Sequence, residues 1–442
     1  MIAEHTMTKV LALAALLDES LPQTGRTLAG LSLFDWLVVA RAGAGEPLST
    51  IIQHFVAHEG GRPEASVVGL AIKVPARAAA LANGTISHAL DYDDTHFAHV
   101  GHLSVGIMPA ALAAGETANS SAEAVRDAFL VGAEVACRIG LVLGRKHYER
   151  GFHQTATAGA FGATVAAGRL FGLAPDQMRH ALSLVSTRVS GLKSQFGTMG
   201  KPFNAGIAAS NGVEAALLAQ RGMVSCNDGL GALQGFIDTH AEEALEAEAW
   251  ANPPPSRFLF EDNKYKLHAC CHGTHAMLNA LTEACRYRDL TPDRVESVVL
   301  RTNPRWLRVC DIKAPRTGLE AKFSYGLLAG MALAGVDTAA ERSYTDSLCT
   351  DPILLGVARR VIVKGDASVS DTAAELVLTL QGGEEISVRH DLAARIPEAE
   401  LERELRDKAA ALLGSATADR LWIATSGLAD RSARDFAGLL QP

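Results

Sequence analysis

Aromatic side chains are scarce, at 5% of 442 residues with four tryptophans, which leaves little to line a carbocation pocket of the terpene-cyclase kind. Positive charge is in deficit as well. Lys plus Arg number 41 against 49 Asp plus Glu, a formal charge of −8, and a chain without a basic surface is a poor partner for nucleic acid. No apolar run approaches the roughly 18 residues of a membrane span; the longest, 105–115 and 327–336, fall well short. The seven cysteines are odd in number and scattered, with no Cys-x-x-Cys. That pattern points to free thiols in a reducing, cytoplasmic setting. Gly-x-Ser-x-Gly does not occur, and no Gly-x-Gly-x-x-Gly follows a strand-like run, which removes the α/β-hydrolase and dinucleotide-binding readings. The apolar run 10–17 imitates a short signal sequence, but Asp18 and Glu19 follow at once; a first amphipathic helix is expected instead.

What is present is a globular composition, 48% hydrophobic and 20% charged, long enough for about two domains or one helical domain carrying an insertion. Segments rich in Ala, Leu and Gly, with apolar residues three and four apart, predict helices over 10–18, 27–41, 77–90, 122–143, 156–171, 175–189 and 205–221. Gly159, Gly162 and Gly168 predict helices that approach closely, not a phosphate loop, because no strand precedes them. Pro253, Pro254 and Pro255 break the helical pattern. Strands are expected beyond them at 295–302, 357–363, 374–381 and 385–390, with Gly382 and Gly383 forming a hairpin turn, among helices at 274–287 and 320–334. Helical character returns at 398–413 and near 431–440. The expected fold is mainly α: an all-α domain from residues 1–262 and 397–442, with an inserted α+β lid over 263–396.

Nine of the 15 histidines fall in two windows, His88, His96, His99, His102, His147 and His153 in the first and His268, His272 and His275 in the second, and imidazole titrates near neutrality. The first window holds His88-Ala89-Leu90-Asp91-Tyr92-Asp93-Asp94-Thr95-His96, then His99 and Gly101-His102-Leu103-Ser104. An EF-hand fails there, since counting from Asp91 puts His96 where Gly is needed and His102 where Glu is needed. Asp91 beside His102 suits proton transfer; a metal site from His96, His99 and His102 has regular spacing but no second cluster to complete it. Near Gly197-Thr198-Met199-Gly200-Lys201-Pro202 a P-loop is excluded by Pro202 after the lysine. Lys201 is instead placed to meet a carboxylate. The second window runs from Lys264 through Lys266, His268, Cys270, Cys271 and His272 to His275, just past the expected boundary.

Taken together, these blocks resemble the MmgE/PrpD family, which includes 2-methylcitrate dehydratase, cis-aconitate decarboxylase and iminodisuccinate epimerase. The resemblance rests on 88–95, 101–104, His147-Tyr148 with 151–156, 196–202, 265–275 and Ala321-Lys322-Phe323-Ser324-Tyr325. It implies a homodimer with the site between an all-α domain and an α+β lid, and proton removal next to a carboxylate without metal, iron–sulfur cluster or nucleotide.

By motif, Asp91, His102, Tyr148 and Lys266 match catalytic positions, and Thr95, His153, Lys201, Cys271, His275 and Tyr325 match substrate-binding positions. The implied base is Lys266, Tyr148 or His102, while Lys201 and His153 hold or polarise the substrate and Asp91 orients a histidine or donates a proton. Some details depart from the family. Leu103 stands where Pro is common, His96 where methylcitrate dehydratases often carry Trp, and Cys271 where the decarboxylases carry His. The block 147–161 is closer to the epimerase branch. The expected function is a cofactor-independent lyase of dehydratase type acting on a small di- or tricarboxylate. Its alternatives are an epimerase, a decarboxylase as the least expected reaction, and a carboxylate-binding relative without turnover.

Overall fold

The computed structural model describes residues 3–441, which are predominantly helical with two small sheets. They gather into two compact units, Met1–Tyr265 with Leu413–Pro442, and Lys266–Leu412. Among the described residues no single helix is long and apolar enough to cross a membrane, although Gln23–Gly43 and Pro47–Glu59, bent by 93° at their junction, reach that length and composition together.

Small residues let the helices of the first unit approach closely. Gln154–Leu170 is buried from Gln154 to Gly168, and a Cβ at Gly162 would stand on the carbonyl oxygen of Gly132 in Ala122–Arg150. Ala76–Ser87 and Gly200–Gln220 cross at Gly84 and Gly206, where a Cβ at Gly206 would collide with Thr85 Oγ1 and the Leu81 carbonyl oxygen. This second crossing matters for chemistry, because Asp91 follows the first of these helices and Lys201 opens the second. The long helix Ala122–Arg150 breaks at Gly144 (φ 67°, ψ 178°), next to the end expected at residue 143. Gln154 Nε2 donates to the carbonyls of Gly140 and Gly144 at 3.1 and 3.3 Å, meeting groups that the break leaves open.

Several elements of this unit depart from expectation: the antiparallel pair Ala65–Val67 and Leu70–Val74 makes it mainly helical and not all-α, and Pro47–Glu59 is a further helix. Ser104–Ala118 is a buried helix despite Pro109 inside it, and the first helix runs Ala3–Ala14 and stops before residue 18. The segment after the prolines is held by a buried ion pair, in which Arg138 Nε meets Glu134 Oε1 at 2.6 Å and Phe260 N donates to Glu134 Oε2 at 2.9 Å.

In the second unit the strands Val361–Gly365, Val295–Thr302, Ala373–Leu380 and Glu385–Asp391 form one sheet in that order, the first pair parallel and the others antiparallel. Gly382 and Gly383 turn between the last two with φ of 104° and 88°. The strand expected from residue 357 begins at Val361, because Asp351 caps the short helix Pro352–Ala358 through the amides of Ile353 and Leu354. The helix expected over 320–334 is two, Gly318–Ala321 and Tyr325–Leu333, the latter capped by Ser324. Glu398–Leu413 groups with this unit up to Leu412, and it is Ser415–Ser426 and Ala433–Ala437 that rejoin the first.

Substituting Gly206→Ala is expected to lower stability by about 1–3 kcal/mol through backbone overlap. Gly159→Ala, whose Cβ would meet nothing closer than 4.0 Å, should leave it unchanged or raise it by up to about 1 kcal/mol. Urea unfolding midpoints compare the two.

Candidate active site

The chain leaves helix Ala76–Ser87 and turns at Asp91, a non-glycine residue in the left-handed region (φ 52°). Asp tolerates that conformation better than most side chains. The turn separates the three carboxylates of the Asp91, Asp93 and Asp94 string into three tasks. Asp94 is buried and faces structure: Ser104 N donates to it at 3.0 Å and Asn263 Nδ2 at 2.7 Å, fixing the start of Ser104–Ala118. Burial raises its carboxyl above the ordinary carboxylate range, and only partly do the Ser104 bonds offset this.

Asp93 is fully buried and lies between two imidazoles. His88 Nδ1 is 2.8 Å from Oδ1, and His102 Nδ1 is 2.7 Å from Oδ2. The second contact is close but bent, since neither of its atoms makes a well-directed hydrogen bond. Burial alone would raise the Asp93 carboxyl, yet the charge and hydrogen bonds of His102 and His88 hold it well below its ordinary value. An ionised Asp93 keeps the proton of His102 on Nδ1 and leaves Nε2 as a lone pair. Burial outweighs the pull of Asp93 and lowers His102 to about 4, so the imidazole rests neutral at pH 7.

Asp91 takes the other side, with a side chain 35% exposed. Its Oδ1 is 3.6 Å from His102 Nε2 and 2.6 Å from Lys201 Nζ. His153 completes the group. Its ring stacks on His88 with centroids 6.0 Å apart, and its Nδ1 accepts from Asn204 Nδ2 at 3.2 Å, which argues for a neutral ring with the proton on Nε2. Burial, then Lys201, push His153 well below its ordinary value. The backbone amide of His102 is fixed by Thr155 Oγ1 at 2.9 Å.

The structure therefore gathers Asp91, His102, His153 and Lys201, all singled out in the sequence, and adds His88, Asp93 and Asn204, to which the sequence assigned no role. The spacing of His88 and Asp93 was visible, but nothing local says which aspartate turns inward. Thr95 is tied by its backbone to Lys264, with paired N···O distances of 2.7 and 2.8 Å. Tyr148 lies under Lys193, whose Nζ is 3.6 Å from the ring centroid. His96 and His99 are spent on backbone, at Leu259 O (2.7 Å) and Ala136 O (3.1 Å), so the regular His96, His99, His102 spacing does not gather one metal site. His88, Asp91, Asp93 and His102 do offer ligand atoms within 4.8 Å of one another, but Lys201 already places a cation on Asp91 and both Nδ1 atoms face Asp93.

Within the second unit, Lys266 is buried among histidines. Burial, then His272, His268 and Lys266, keep His275 well below its ordinary value. Tyr325 is buried and donates its hydroxyl to Gly273 O at 2.8 Å. Cys271 Sγ lies 3.3 Å from Cys310 Sγ.

The MmgE/PrpD N-terminal domain model matches residues 13–247, and the MmgE/PrpD C-terminal domain model residues 268–426. The chain is 32% identical over 229 residues to a cis-aconitate decarboxylase of Aspergillus terreus, covering 49% of this chain and 46% of that protein. It is 26% identical over 246 residues to cis-aconitate decarboxylase of Homo sapiens, covering 52% and 50%. The corresponding Mus musculus enzyme is 27% identical over 259 residues, covering 54% and 50%. The chain thus spans about half the length of the curated relatives it matches.

Buried neutral histidines make stability depend on pH. His102 and His268 are lowered to about 4 and His99 to about 3, against roughly 6.5 when unfolded. Their contribution is complete above that value and is lost as pH falls through the folded values, each on the order of a few kcal/mol; Asp94 and Glu134, raised by burial, act in the opposite sense. Denaturant midpoints should fall between about pH 6.5 and 4, and His102→Asn should flatten that slope. An unchanged slope would mean that His102 is not a buried neutral group.

Proposed function

This chain belongs to the MmgE/PrpD family, and from that premise we propose that it is a lyase of dehydratase type, removing a proton next to a carboxylate of a small di- or tricarboxylate without a cofactor. The observation that carries this reading is the Asp93 carboxylate between His88 and His102, with the Lys201–Asp91 pair against the free face of His102. In the proposed mechanism His102 Nε2 takes the proton. Lys201 and the Nε2–H of His153 hold the substrate carboxylate and stabilise the enolate-like charge as it develops. Asp91, ionised beside Lys201, orders that ammonium and relays the proton that His102 has taken to the departing hydroxyl, which leaves as water. Lys266 and Tyr148 retain the acid/base roles that their motif positions imply, with Thr95, Cys271, His275 and Tyr325 in substrate binding.

The same arrangement serves neighbouring reactions, because the costly species in each is an anion next to a carboxylate. An epimerase reprotonates it on the opposite face; a decarboxylase reaches it by losing carbon dioxide instead of a proton. The names of the curated relatives favour decarboxylation as a second reading, and Cys271, where those enzymes carry histidine by the family resemblance, weighs against it. A homodimer in a cytoplasmic setting belongs to the same proposal, and sedimentation would test the dimer.

Proton NMR in D₂O, on EDTA-treated protein with citrate, 2-methylcitrate, cis-aconitate, tartrate, malate and iminodisuccinate, separates the branches. A new alkene signal supports dehydration, deuterium at a retained C–H supports epimerisation, and a deuterated product with one carboxylate fewer supports decarboxylation. His102→Asn and Lys201→Met should each lower kcat/KM by roughly 10²–10⁴. Turnover that returns only with added metal would overturn the cofactor-free mechanism, and saturable binding without turnover of any substrate would favour the non-catalytic relative.

A further inference from the structure

The second unit carries a pair of thiols that the proposed mechanism does not use together. Cys271 and Cys310 are 39 residues apart in sequence, yet their sulfurs are 3.3 Å apart. Both are anchored on one short segment. Cys271 N donates to Lys322 O at 3.1 Å, and Ile312 N, two residues beyond Cys310, donates to Phe323 O at 3.0 Å, next to the Asp311–Ser324 bridge. Cys271 is further held by Thr274, whose amide and hydroxyl donate to its carbonyl at 3.0 and 2.8 Å. Gly273 leaves the space that the second sulfur fills, since a Cβ there would come within 2.9 Å of Cys310 Sγ and collide with Trp306. Cys310 is buried while Cys271 is partly exposed, so one sulfur can meet a solute and the other waits behind it.

We propose that Cys271 and Cys310 are a reversible dithiol–disulfide site, closed by hydroperoxides and reopened by thiols. A disulfide needs the sulfurs about 2.05 Å apart, so closure asks for roughly 1.3 Å of approach between side chains already in contact. In the first step the Cys271 thiolate attacks hydrogen peroxide; the O–O bond breaks, Cys271 becomes a sulfenic acid, and hydroxide leaves and is protonated to water. Cys310 sulfur then attacks Cys271 sulfur, its proton departing with the hydroxyl as a second water. Both cysteines are oxidised by one electron and the peroxide is reduced by two. A small dithiol reverses the bond by exchange through a mixed disulfide. Cys270, adjacent in sequence, is not the partner the geometry selects: its sulfur is engaged with Thr274 Oγ1 at 3.1 Å, and burial pushes its thiol up to about 12.

This proposal does not depend on the reaction catalysed. The test treats the reduced full chain with stoichiometric hydrogen peroxide, blocks remaining thiols with N-ethylmaleimide and digests with trypsin. Two of the seven thiols should be lost with a mass decrease of about 2 Da, reversed by dithiothreitol. Fragmentation should join the peptide 267–286 through Cys271 to the peptide 309–313 through Cys310. In Cys310→Ser the same treatment should leave Cys271 as a sulfenic acid trapped by dimedone, which the wild type traps far less. A bond from Cys271 to Cys270, or Cys271 carried to sulfinic acid in the wild type with no link to Cys310, overturns the proposal. Since the wild-type peptide map decides alone, the proposal stays falsifiable even where the variant fails to fold.

Discussion

Asp93 is a buried carboxylate that two imidazoles hold in place, and most of the candidate site follows from it. A lone ionised carboxylate at that depth would be costly, and protonation would be the easier outcome. His88 and His102 reverse that balance by approaching both oxygens, so the charge persists and both rings keep their Nδ1 protons directed inward. Nε2 of His102 is then the lone pair turned toward Asp91 and Lys201. Loss of Asp93 would therefore act on the proposed chemistry through His102, although Asp93 itself faces the two rings and not the Lys201 side.

That arrangement also depends on helices being closer than most side chains permit. Asp91 follows one, and Lys201 opens the other, of two helices that cross at Gly84 and Gly206, and the ion pair at 2.6 Å is the chemical result of a packing contact. His153 and Thr155 open a third helix whose buried face is nearly all small residues. The alanine- and glycine-rich composition is therefore what lets three helix ends converge on the cluster of Asp91, His102, His153 and Lys201.

Much of this was legible in the sequence because chemistry and punctuation are local. The helix ending at residue 143 met the glycine break at Gly144, and the diglycine turn and its flanking strands lie where alternation placed them. Other features need tertiary information. Pro109 hides the helix Ser104–Ala118, since its missing amide looks like a break until neighbouring helices bury the segment. His96 and His99 carry the same regular spacing as His102, but the hairpin that joins His96 to Gly101 points them at backbone carbonyls. Which of three neighbouring aspartates faces the histidines is decided by the left-handed turn at Asp91, a conformation that composition does not announce.

The first-unit cluster is short of positive charge, which bears on the reaction proposed for it. Asp91 and Asp93 contribute two negative charges against the single ammonium of Lys201, because His102 and His153 are held neutral by burial. Neutral imidazoles cost less to bury than charged ones. In the proposed mechanism a substrate carboxylate near Lys201 would compete with Asp91 for the ammonium, and a proton taken by His102 would become a cation between that carboxylate and Asp93. On that proposal the proton leaving carbon would be exchanged for a charge that the site is short of, so the electrostatic gain would belong to the reaction step more than to binding.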